Sequence, residues 1–298
     1  MLARPLDSGL SSEEPFRGAV VGQPYPEPLD ADMHSAFEIG VLLSGQEDRH
    51  FENYVIRLQP GDIWLSPAWE PHGRKTAAPG TRELVLQFLA EVLGDEPLDG
   101  MHWLMLFATS PRDRPRVRTD QQRRRVLALA GGISRELHEA QRGWLTEVRL
   151  STLLLLSTVS RGWWPPDSTT RARGARQSDL ARVLPALRLI HAQPEVRLSL
   201  VDAAAACSLS VPHFSFVFRR TMGVSFAKFA LRARLAYAAQ LLISADLSIE
   251  NVAEHFSFTD GSHFALAFTK HFGVSPGRYR KEHQARPDLL PGLVAPAG

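Results

Sequence analysis

The side chains best suited to recognising another molecule lie in a segment that occurs twice in the last third of the chain. Leu198-Ser199-Leu200 recurs forty-nine residues later as Leu247-Ser248-Ile249. After a slip of one residue the offset becomes fifty, and it relates three more motifs in pairs: His213-Phe214 with His263-Phe264, Phe218 with Phe268, and Gly223-Val224-Ser225 with Gly273-Val274-Ser275. The chain therefore contains two copies of one supersecondary unit.

Each copy predicts two short helices joined by a tight turn. Apolar spacing places them over residues 200–207 and 211–221 in the first copy, and over 249–256 and 261–272 in the second. One stripe of the 211–221 helix is apolar. The opposite stripe is mostly small, polar or cationic: Pro212, Ser215, Phe216, Arg219 and Arg220. This is the pattern of a helix-turn-helix unit, whose second helix enters the major groove of DNA.

The segment between the two units predicts a long helix over residues 226–244. At 1.5 Å per residue it would separate the units by about 28 to 30 Å. Successive major grooves on one DNA face lie about 34 Å apart, so the spacing suits two consecutive grooves. The distribution of charge is consistent with a DNA-binding second half. Residues 1–160 hold 17 Lys/Arg against 22 Asp/Glu, whereas residues 179–298 hold 13 Lys/Arg against 9 Asp/Glu. A polyanion fits the second half, and chance variation is the other explanation of the charge.

Over about residues 183–283 the sequence resembles the AraC/XylS family of bacterial transcription regulators. The resemblance rests on motifs spread over both units: Leu198-Ser199-Leu200, Ala203-Ala204, Phe218-Arg219-Arg220, Arg232-Ala233-Arg234-Leu235, Ala239-Gln240-Leu241-Leu242, Val252-Ala253, Ser262-His263-Phe264 and the closing Phe272-Gly273-Val274-Ser275-Pro276-Gly277-Arg278-Tyr279-Arg280. It implies an all-α domain with two helix-turn-helix units joined by a long helix. Double-stranded DNA is the implied partner, with RNA polymerase as a further one.

The resemblance also implies which side chains contact DNA. The base-reading candidates lie on the outward stripes: His213, Ser215, Phe216, Ser262, His263 and Leu266. Candidates for phosphate contacts, which could equally be solvated surface charges, are Arg219, Arg220, Lys228, Arg232 and Lys270. Where the family usually has Ser-Arg, this chain has Ser215-Phe216 and Ala265-Leu266. Phe216 could instead contact a thymine methyl group. The alternative is that Phe216 and Leu266 pack against something, which would leave base reading elsewhere or poor.

Composition excludes several classes of protein. The 298 residues are 44 % hydrophobic and 22 % charged, with 21 Gly and 21 Pro, unlike collagen-like or disordered chains. A single cysteine, Cys207, cannot form an intramolecular disulfide, which favours the cytoplasm. No apolar run approaches the roughly 18 to 20 residues of a membrane span, and no secretory leader is recognisable. We expect a cytoplasmic protein that does not enter membranes.

The sequence pattern of the first half is typical of an all-β unit followed by two helices. Short apolar runs predict strands over residues 37–43, 54–58, 63–65 and 84–88, which is typical of a β-sandwich or barrel. Spacings of three and four then predict a helical hairpin over 120–142 and 144–161. The second helix has more Leu than one face needs, so it either packs on a second protomer or is buried within its own domain.

About residues 20–90 resemble the cupin-like sensing domain that many AraC/XylS members carry. The shared motifs are short: Phe37-Glu38-Ile39, Ser44-Gly45, Pro60-Gly61-Asp62, Pro67 and Pro71-His72. With the hairpin they imply a cupin-like β-barrel that binds a small-molecule effector and forms a homodimer through the helices at 120–161. The candidate pocket residues are His34, Glu38, Trp64, Trp69 and His72.

A cupin metal site uses His-x-His, a Glu four residues beyond the second His, and a later His. The corresponding residues are Asp32, His34, Glu38 and His72, with Asp in place of the first His. Imidazoles and carboxylates suit iron, manganese or zinc. Regulators of this kind mostly bind organic ligands, so we favour neither a metal nor any other cofactor.

Residues 163–177 combine Pro-Pro, Ser, Thr, Gly and spaced Arg without apolar periodicity, which predicts an interdomain linker. The predicted domains are 1–162 for effector binding and dimerisation and 179–298 for DNA binding, with the linker at 163–178. We expect an effector-controlled, sequence-specific transcription regulator, not an enzyme. The alternatives are a metal-dependent cupin enzyme with a helical appendage, and a DNA-binding half converted into a protein-docking module.

Overall fold

The computed structural model describes residues 4–5, 8–10, 13–51, 54–76, 78–94, 97–98, 101–164, 179–222 and 224–284. Most of the predicted linker, residues 165–178, lies outside the described residues. Strands occupy the first third: β1 Arg4–Pro5, β2 Phe16–Gln23, β3 Glu27–Met33, β4 Phe37–Ser44, β5 Glu47–Phe51, β6 Tyr54–Leu58, β7 Ile63–Ser66, β8 His72–Thr76, β9 Thr81–Phe88, β10 Pro97–Leu98 and β11 Met101–His102.

Helices follow the strands. In the first half they are α1 Ala90–Leu93, α2 Leu104–Ala108, α3 Asp120–Glu139 and α4 Trp144–Ser160. In the second half they are α5 Asp179–Ala192, α6 Leu200–Ala206, α7 Val211–Met222, α8 Phe226–Ser244, α9 Ile249–His255, α10 Gly261–Phe272 and α11 Pro276–Gln284. The chain thus has an N-terminal β-sheet part and a helical C-terminal part, as predicted.

The main strands form two open sheets whose inner side chains meet. One sheet has the order β1-β3-β8-β5-β6 and the other β2-β9-β4-β7, with a separate β10-β11 pair. All pairs are antiparallel except β1 with β3. The prediction was a barrel, but the described strands do not close. β6 and β7 end their sheets, and the turn between them bonds instead to β4, where the Gly61 N–H donates to the Leu42 carbonyl at 2.7 Å.

The predicted helical hairpin is present as α3 and α4, which pack against each other. Thr119 and Gln122 form a capping box at the start of α3. The helix ends at residue 139, three residues before the predicted end, because Ala140 adopts a left-handed conformation with φ 45°. On α4, Leu150 and Leu154 stay exposed by 49 % and 42 %, so one apolar stripe of this helix has no partner among the described residues.

The sequence repeat is also a repeat of structure. In the turn after α6, Ser208 is left-handed with φ 53° and the Leu209 N–H donates to the Ala204 carbonyl at 2.9 Å. In the turn after α9, Ser257 has φ 54° and the Phe258 N–H donates to the Ala253 carbonyl at 2.9 Å. The turns of the two helix pairs therefore share one left-handed residue and one equivalent backbone hydrogen bond.

Aromatic rings hold each helix pair to the helix that follows it. In the first copy Phe214 and Phe218 of α7 pack against Phe226 of α8, with ring centroids 5.3 Å apart in each contact. In the second copy Phe268 of α10 packs against Tyr279 of α11 at 5.2 Å. Because these rings face inward, the opposite faces of α7 and α10 point outward.

The sheet part and the helical part contact each other. The rings of Trp69, in the β7–β8 loop, and Tyr237 of α8 lie 5.1 Å apart, and α2 packs on α7. Among the described residues no single helix is long and apolar enough to cross a membrane, although the bent pair α6 and α7 passes the length and composition test jointly.

Candidate functional sites

The outward faces of α7 and α10 carry matching side chains at matching positions. On α7, His213, Phe216, Arg219 and Arg220 are exposed and Ser215 is half-buried. On α10 the exposed residues at or near the fifty-residue offset include Ser262, His263, Leu266 and Lys270. The structure therefore brings the base-reading candidates of each copy together on one helix face, with cations at its C-terminal end.

Phe216 and Leu266 do not pack against the rest of the chain. Their side chains are exposed by 60 % and 71 %. The closest charged contact of Phe216 is the guanidinium of Arg220, which lies 5.3 Å from the ring centroid. Of the two alternatives raised by the sequence, packing within the protein is wrong for both residues.

The cations beside these faces are arranged by helix caps. Ser225 caps α8 by accepting a hydrogen bond from the Lys228 N–H at 3.4 Å, and the Lys228 side chain is exposed. Fifty residues later, Ser275 accepts from the Arg278 N–H at 3.4 Å, and Arg278 is exposed in the same way. Arg278 is not among the phosphate candidates predicted from the sequence, although the fifty-residue offset from Lys228 points to it. Arg232, the remaining phosphate candidate, is half-buried.

The predicted metal or pocket residues of the first half meet between the two sheets. His34 and Glu38 are joined by a 2.6 Å hydrogen bond between Nε2 and Oε2, and Gln87 donates to the same Oε2 at 2.7 Å. His72 Nε2 lies 3.3 Å from Asp32 Oδ1 and 3.4 Å from Glu38 Oε1. All of the four predicted residues are therefore within reach of one another.

The two histidines and two carboxylates change each other's acidity. Burial lowers the pKa of His72, but the charges of Asp32 and Glu38 outweigh burial and raise the pKa to about 9. Burial raises the pKa of Glu38, but His34 and His72 outweigh burial and hold it well below its usual value. Burial also raises the pKa of Asp32, and here it prevails over the opposing charge of His72. At neutral pH the cluster holds a protonated His72 beside an ionised Glu38.

Three of these residues have the chemistry to hold a divalent cation. Ligand atoms of Asp32, His34 and His72 all lie within 4.8 Å of one another. Asp32 Oδ1 and His72 Nε2 are buried without a hydrogen-bond partner. A cation there would have to displace the proton from His72, because imidazolium has no free lone pair. The set fits zinc, manganese or iron by donor type, in competition with that proton.

A second buried polar cluster fills the space next to the first. Arg49 donates two 2.7 Å hydrogen bonds to Glu83 and lies 2.7 Å from Glu47, with its guanidinium 3.6 Å from the centroid of the Trp64 ring. The Trp64 ring N–H donates to Glu83. Burial raises the pKa of Glu47 to about 7. Trp64, predicted as a pocket wall, is thus buried against charged side chains.

An open cavity lies instead between the sheet part and the helical part. Its volume is about 380 Å³, and most of its wall is apolar. The lining residues are Ser8, Leu10, Ser35, Phe37, Ala68, Leu89, Ala90, Leu184, Leu187, Arg188, Ala192, Met222, Phe229 and Tyr237. None of the five predicted pocket residues is among them. The Trp69 ring contacts Tyr237 of this wall, and the backbone N–H of Trp69 donates to the His34 carbonyl at 2.7 Å.

Comparison with known sequences finds relatives of the helical part. Residues 203–282 match a family model described as a helix-turn-helix domain. Transcriptional activator NphR of a Rhodococcus species is 37 % identical over 116 residues, which are 39 % of this chain and 34 % of NphR. Regulatory protein PocR of Salmonella typhimurium is 32 % identical over 116 residues, 39 % of this chain and 37 % of PocR. The chain thus matches about a third of the length of these relatives.

Comparison with solved structures covers both parts. ToxT from Vibrio cholerae, in a crystal structure with an unsaturated fatty acid bound, aligns with 91 % of this chain and 95 % of its own, with a TM-score of 0.50 and 11 % identity. A second ToxT structure aligns with 90 % of this chain and 98 % of its own at 12 % identity and the same TM-score. At this identity the likeness shows the fold: a β-sheet domain followed by a helical domain.

The acidity of His72 predicts how stability depends on pH. Its pKa is about 9 in the folded chain against 6.5 in a solvated histidine, so its stabilising effect is complete below pH 6.5 and lost as pH rises through 9. We expect the difference in unfolding free energy between wild type and His72→Gln to fall by about 3 kcal/mol from pH 6 to pH 9.5. Urea unfolding with EDTA present measures it. The exposed His138 on α3 is the control, and an equal difference at both pH values would contradict the assignment.

Proposed function

We propose that this chain, a member of the AraC family, is a transcription regulator that binds specific DNA sequences under the control of a small-molecule effector. The observation that carries the proposal is the pair of outward faces on α7 and α10, which present corresponding residues fifty positions apart. The relatives are named as activators and regulators, which favours this function over a metal-dependent enzyme.

The finer domain assignment is part of the proposal. Residues 179–298 form the DNA-binding domain, with α6–α7 and α9–α10 as two helix-turn-helix units joined by α8. Residues 1–162 form a cupin-like domain for effector binding and dimerisation, and residues 163–178 form the linker. The equal turns after α6 and α9 support the first assignment, and the two facing sheets support the second. RNA polymerase is a further partner in this proposal.

The proposed DNA contacts form two groups, contacts to phosphates and contacts to base edges. The cations Arg219, Arg220, Lys228, Arg232 and Lys270, together with Arg278, bind phosphates and position the protein without reading sequence. Lys228 and Arg278 stand at the N-termini of α8 and α11, where backbone N–H groups also favour phosphate. The outward side chains of α7 and α10 then lie against base edges in two major grooves.

Replacing Lys228 and Arg278 together by Gln tests this arrangement. We expect weaker binding to specific and scrambled duplexes alike, and a slope of log affinity against log salt that is smaller by about 2, one per lost phosphate contact. Fluorescence anisotropy across a salt series, on duplexes from upstream of this gene and its neighbours, measures both effects.

Arg124→Gln is the matched control for that experiment, because Arg124 is an exposed cation on α3, outside the helices proposed to contact DNA. An unchanged salt slope in the double variant would remove these two residues from the interface. Failure of the wild-type chain to prefer any natural duplex, with or without effector, would contradict the proposed function.

The effector site is the cavity between the two parts of the chain. Its wall combines Phe37 and Leu89 of the sheet part with Met222, Phe229 and Tyr237 of α7 and α8. An effector there touches both the sensing side and the helices that carry the DNA face. The predicted residues His34, Glu38, Trp64, Trp69 and His72 are buried and do not line this cavity. The apolar wall and the single guanidinium of Arg188 at its rim suit an apolar ligand with one anionic end.

Oleate is the probe for this cavity, and the fatty acid bound to ToxT motivates its choice. We expect oleate to raise the melting temperature of the wild-type chain and to bind Arg188→Gln about fivefold more weakly, because the anionic end loses its partner. Calorimetric titration gives the affinities, and Arg124→Gln should bind like wild type. Equal oleate affinity in all three chains would contradict an anionic ligand at Arg188.

Dimerisation is proposed through the hairpin, with a second copy of the chain covering Leu150 and Leu154. These residues lie one turn apart on the exposed side of α4, so two copies of the stripe can pack against each other in an isologous pair. We expect Leu150→Glu combined with Leu154→Glu to give a monomer in sedimentation velocity. Val55→Glu places the same charge on a half-exposed strand residue and should leave the dimer intact. A monomeric wild-type chain would contradict the proposal.

A further inference from the structure

We propose that Phe216 and Leu266 read thymine, each through the 5-methyl group of one base, at two positions about one helical turn of DNA apart. This inference rests on the proposed DNA-binding function and names what the chain recognises there. It makes these two residues the specificity determinants of a chain that has Phe and Leu in the middle of α7 and α10.

The first observation is exposure at equivalent positions. Phe216 and Leu266 are fifty residues apart, and their side chains are 60 % and 71 % exposed. A large apolar side chain that no intramolecular contact covers keeps its hydration cost until a partner removes it from water. Since the same feature stands on both outward faces, the partner has to present an apolar group to each face.

The second observation is what surrounds each apolar side chain. One helical turn before Phe216 and Leu266 stand the exposed His213 and His263. One turn or so later come the exposed cations, Arg219 and Arg220 on α7 and Lys270 on α10. An apolar centre bordered by cations does not match an apolar protein surface, but it matches a groove whose edges are phosphates and whose floor is made of base edges.

The chemistry of that floor selects the base. In the major groove guanine, cytosine and adenine present only hydrogen-bond donors and acceptors, whereas thymine adds the C5 methyl group. Phe and Leu can neither donate nor accept a hydrogen bond, so the favourable contact available to them is with that methyl. Any other base would leave its polar edge against an apolar side chain.

The third observation is the length of the helix between the two units. The 19 residues of α8, Phe226–Ser244, span about 28 Å, which is close to one turn of B-DNA. The side chains of α7 and α10 can therefore meet the same DNA face in consecutive grooves. The two thymines should then lie about 10 base pairs apart.

Removing single thymine methyl groups from the DNA tests the inference. The tightest duplex is first selected from a random pool with the full-length protein, and each thymine is then replaced singly by deoxyuridine, which removes only the methyl group. We expect two thymines, about 10 base pairs apart, at which deoxyuridine weakens binding about fourfold, the loss expected for one buried methyl. Other thymines should tolerate the change.

Protein variants assign each thymine to its residue. In Phe216→Ala one of the two positions should become insensitive to deoxyuridine, and in Leu266→Ala the other should, while wild-type sensitivity persists at the remaining position. Val201→Ala is the control, because Val201 is 63 % exposed on α6 and lies outside both faces. Both test residues are exposed, so truncation should leave the melting temperature unchanged.

Two results would overturn the inference. If the selected duplex binds tightly but no thymine responds to deoxyuridine, the methyl contacts are absent while the DNA-binding function stands. The same holds if Phe216→Ala and Leu266→Ala leave wild-type sensitivity at both positions. If no duplex is enriched over the random pool, the proposed function fails together with the inference.

Discussion

The proposed binding to DNA depends on two short helices, α7 and α10, being held at a fixed distance by the long helix α8 between them. A single helix-turn-helix unit buries little surface on DNA. Two units joined by a flexible segment would bind more weakly, because binding would have to fix their relative position at a cost in entropy. α8 removes this cost because it is continuous from Phe226 to Ser244 and its buried alanines, among them Ala233, Ala236 and Ala239, let neighbouring helices approach closely. Ring contacts from Phe226 and Phe229 then fix the first unit to this spacer.

In the proposed function, a ligand bound by the first half changes how the two units are held. The cavity wall includes Met222 of α7 and Tyr237 of α8, so a ligand that fills it contacts the helix bearing Phe216 and the spacer itself. Trp69 connects the sheet part to Tyr237 through a contact between their rings. The backbone of Trp69 has an unfavourable left-handed conformation, with φ 60°. An effector acts on DNA binding only by binding one arrangement of these parts more tightly than another.

Sequence alone predicts the helical half well because its signals are local. The apolar spacing of the 211–221 helix recurs fifty residues later in the 261–272 helix. In the structure α8 and α10 begin and end at the predicted residues. The strands β3, β5 and β8 escaped prediction because they carry charge where strands usually carry apolar side chains. In β5, Glu47 and Arg49 point inward, which is stable only because Glu83 on β9 completes their ion pairs.

The cavity between the two parts could not be predicted for a related reason. Side chains that look like pocket walls in the sequence, such as Trp64 and His72, instead contact buried carboxylates in the interior, Glu83 and Glu38 respectively. The cavity is formed by residues from distant parts of the chain, including Phe37 and Tyr237, whose proximity depends on how the two halves pack. No local pattern carries that information, whereas the exposure of Phe216 and Leu266 follows directly from helical periodicity.

We propose that the two outward faces occupy consecutive major grooves of one DNA site. Hydroxyl-radical footprinting of the full-length protein on its tightest natural duplex shows which parts of the DNA backbone the protein covers. We expect each protomer to protect two backbone patches on one face of the duplex, centred about 10 base pairs apart. A single patch per protomer, or two patches on opposite faces of the DNA, would contradict it.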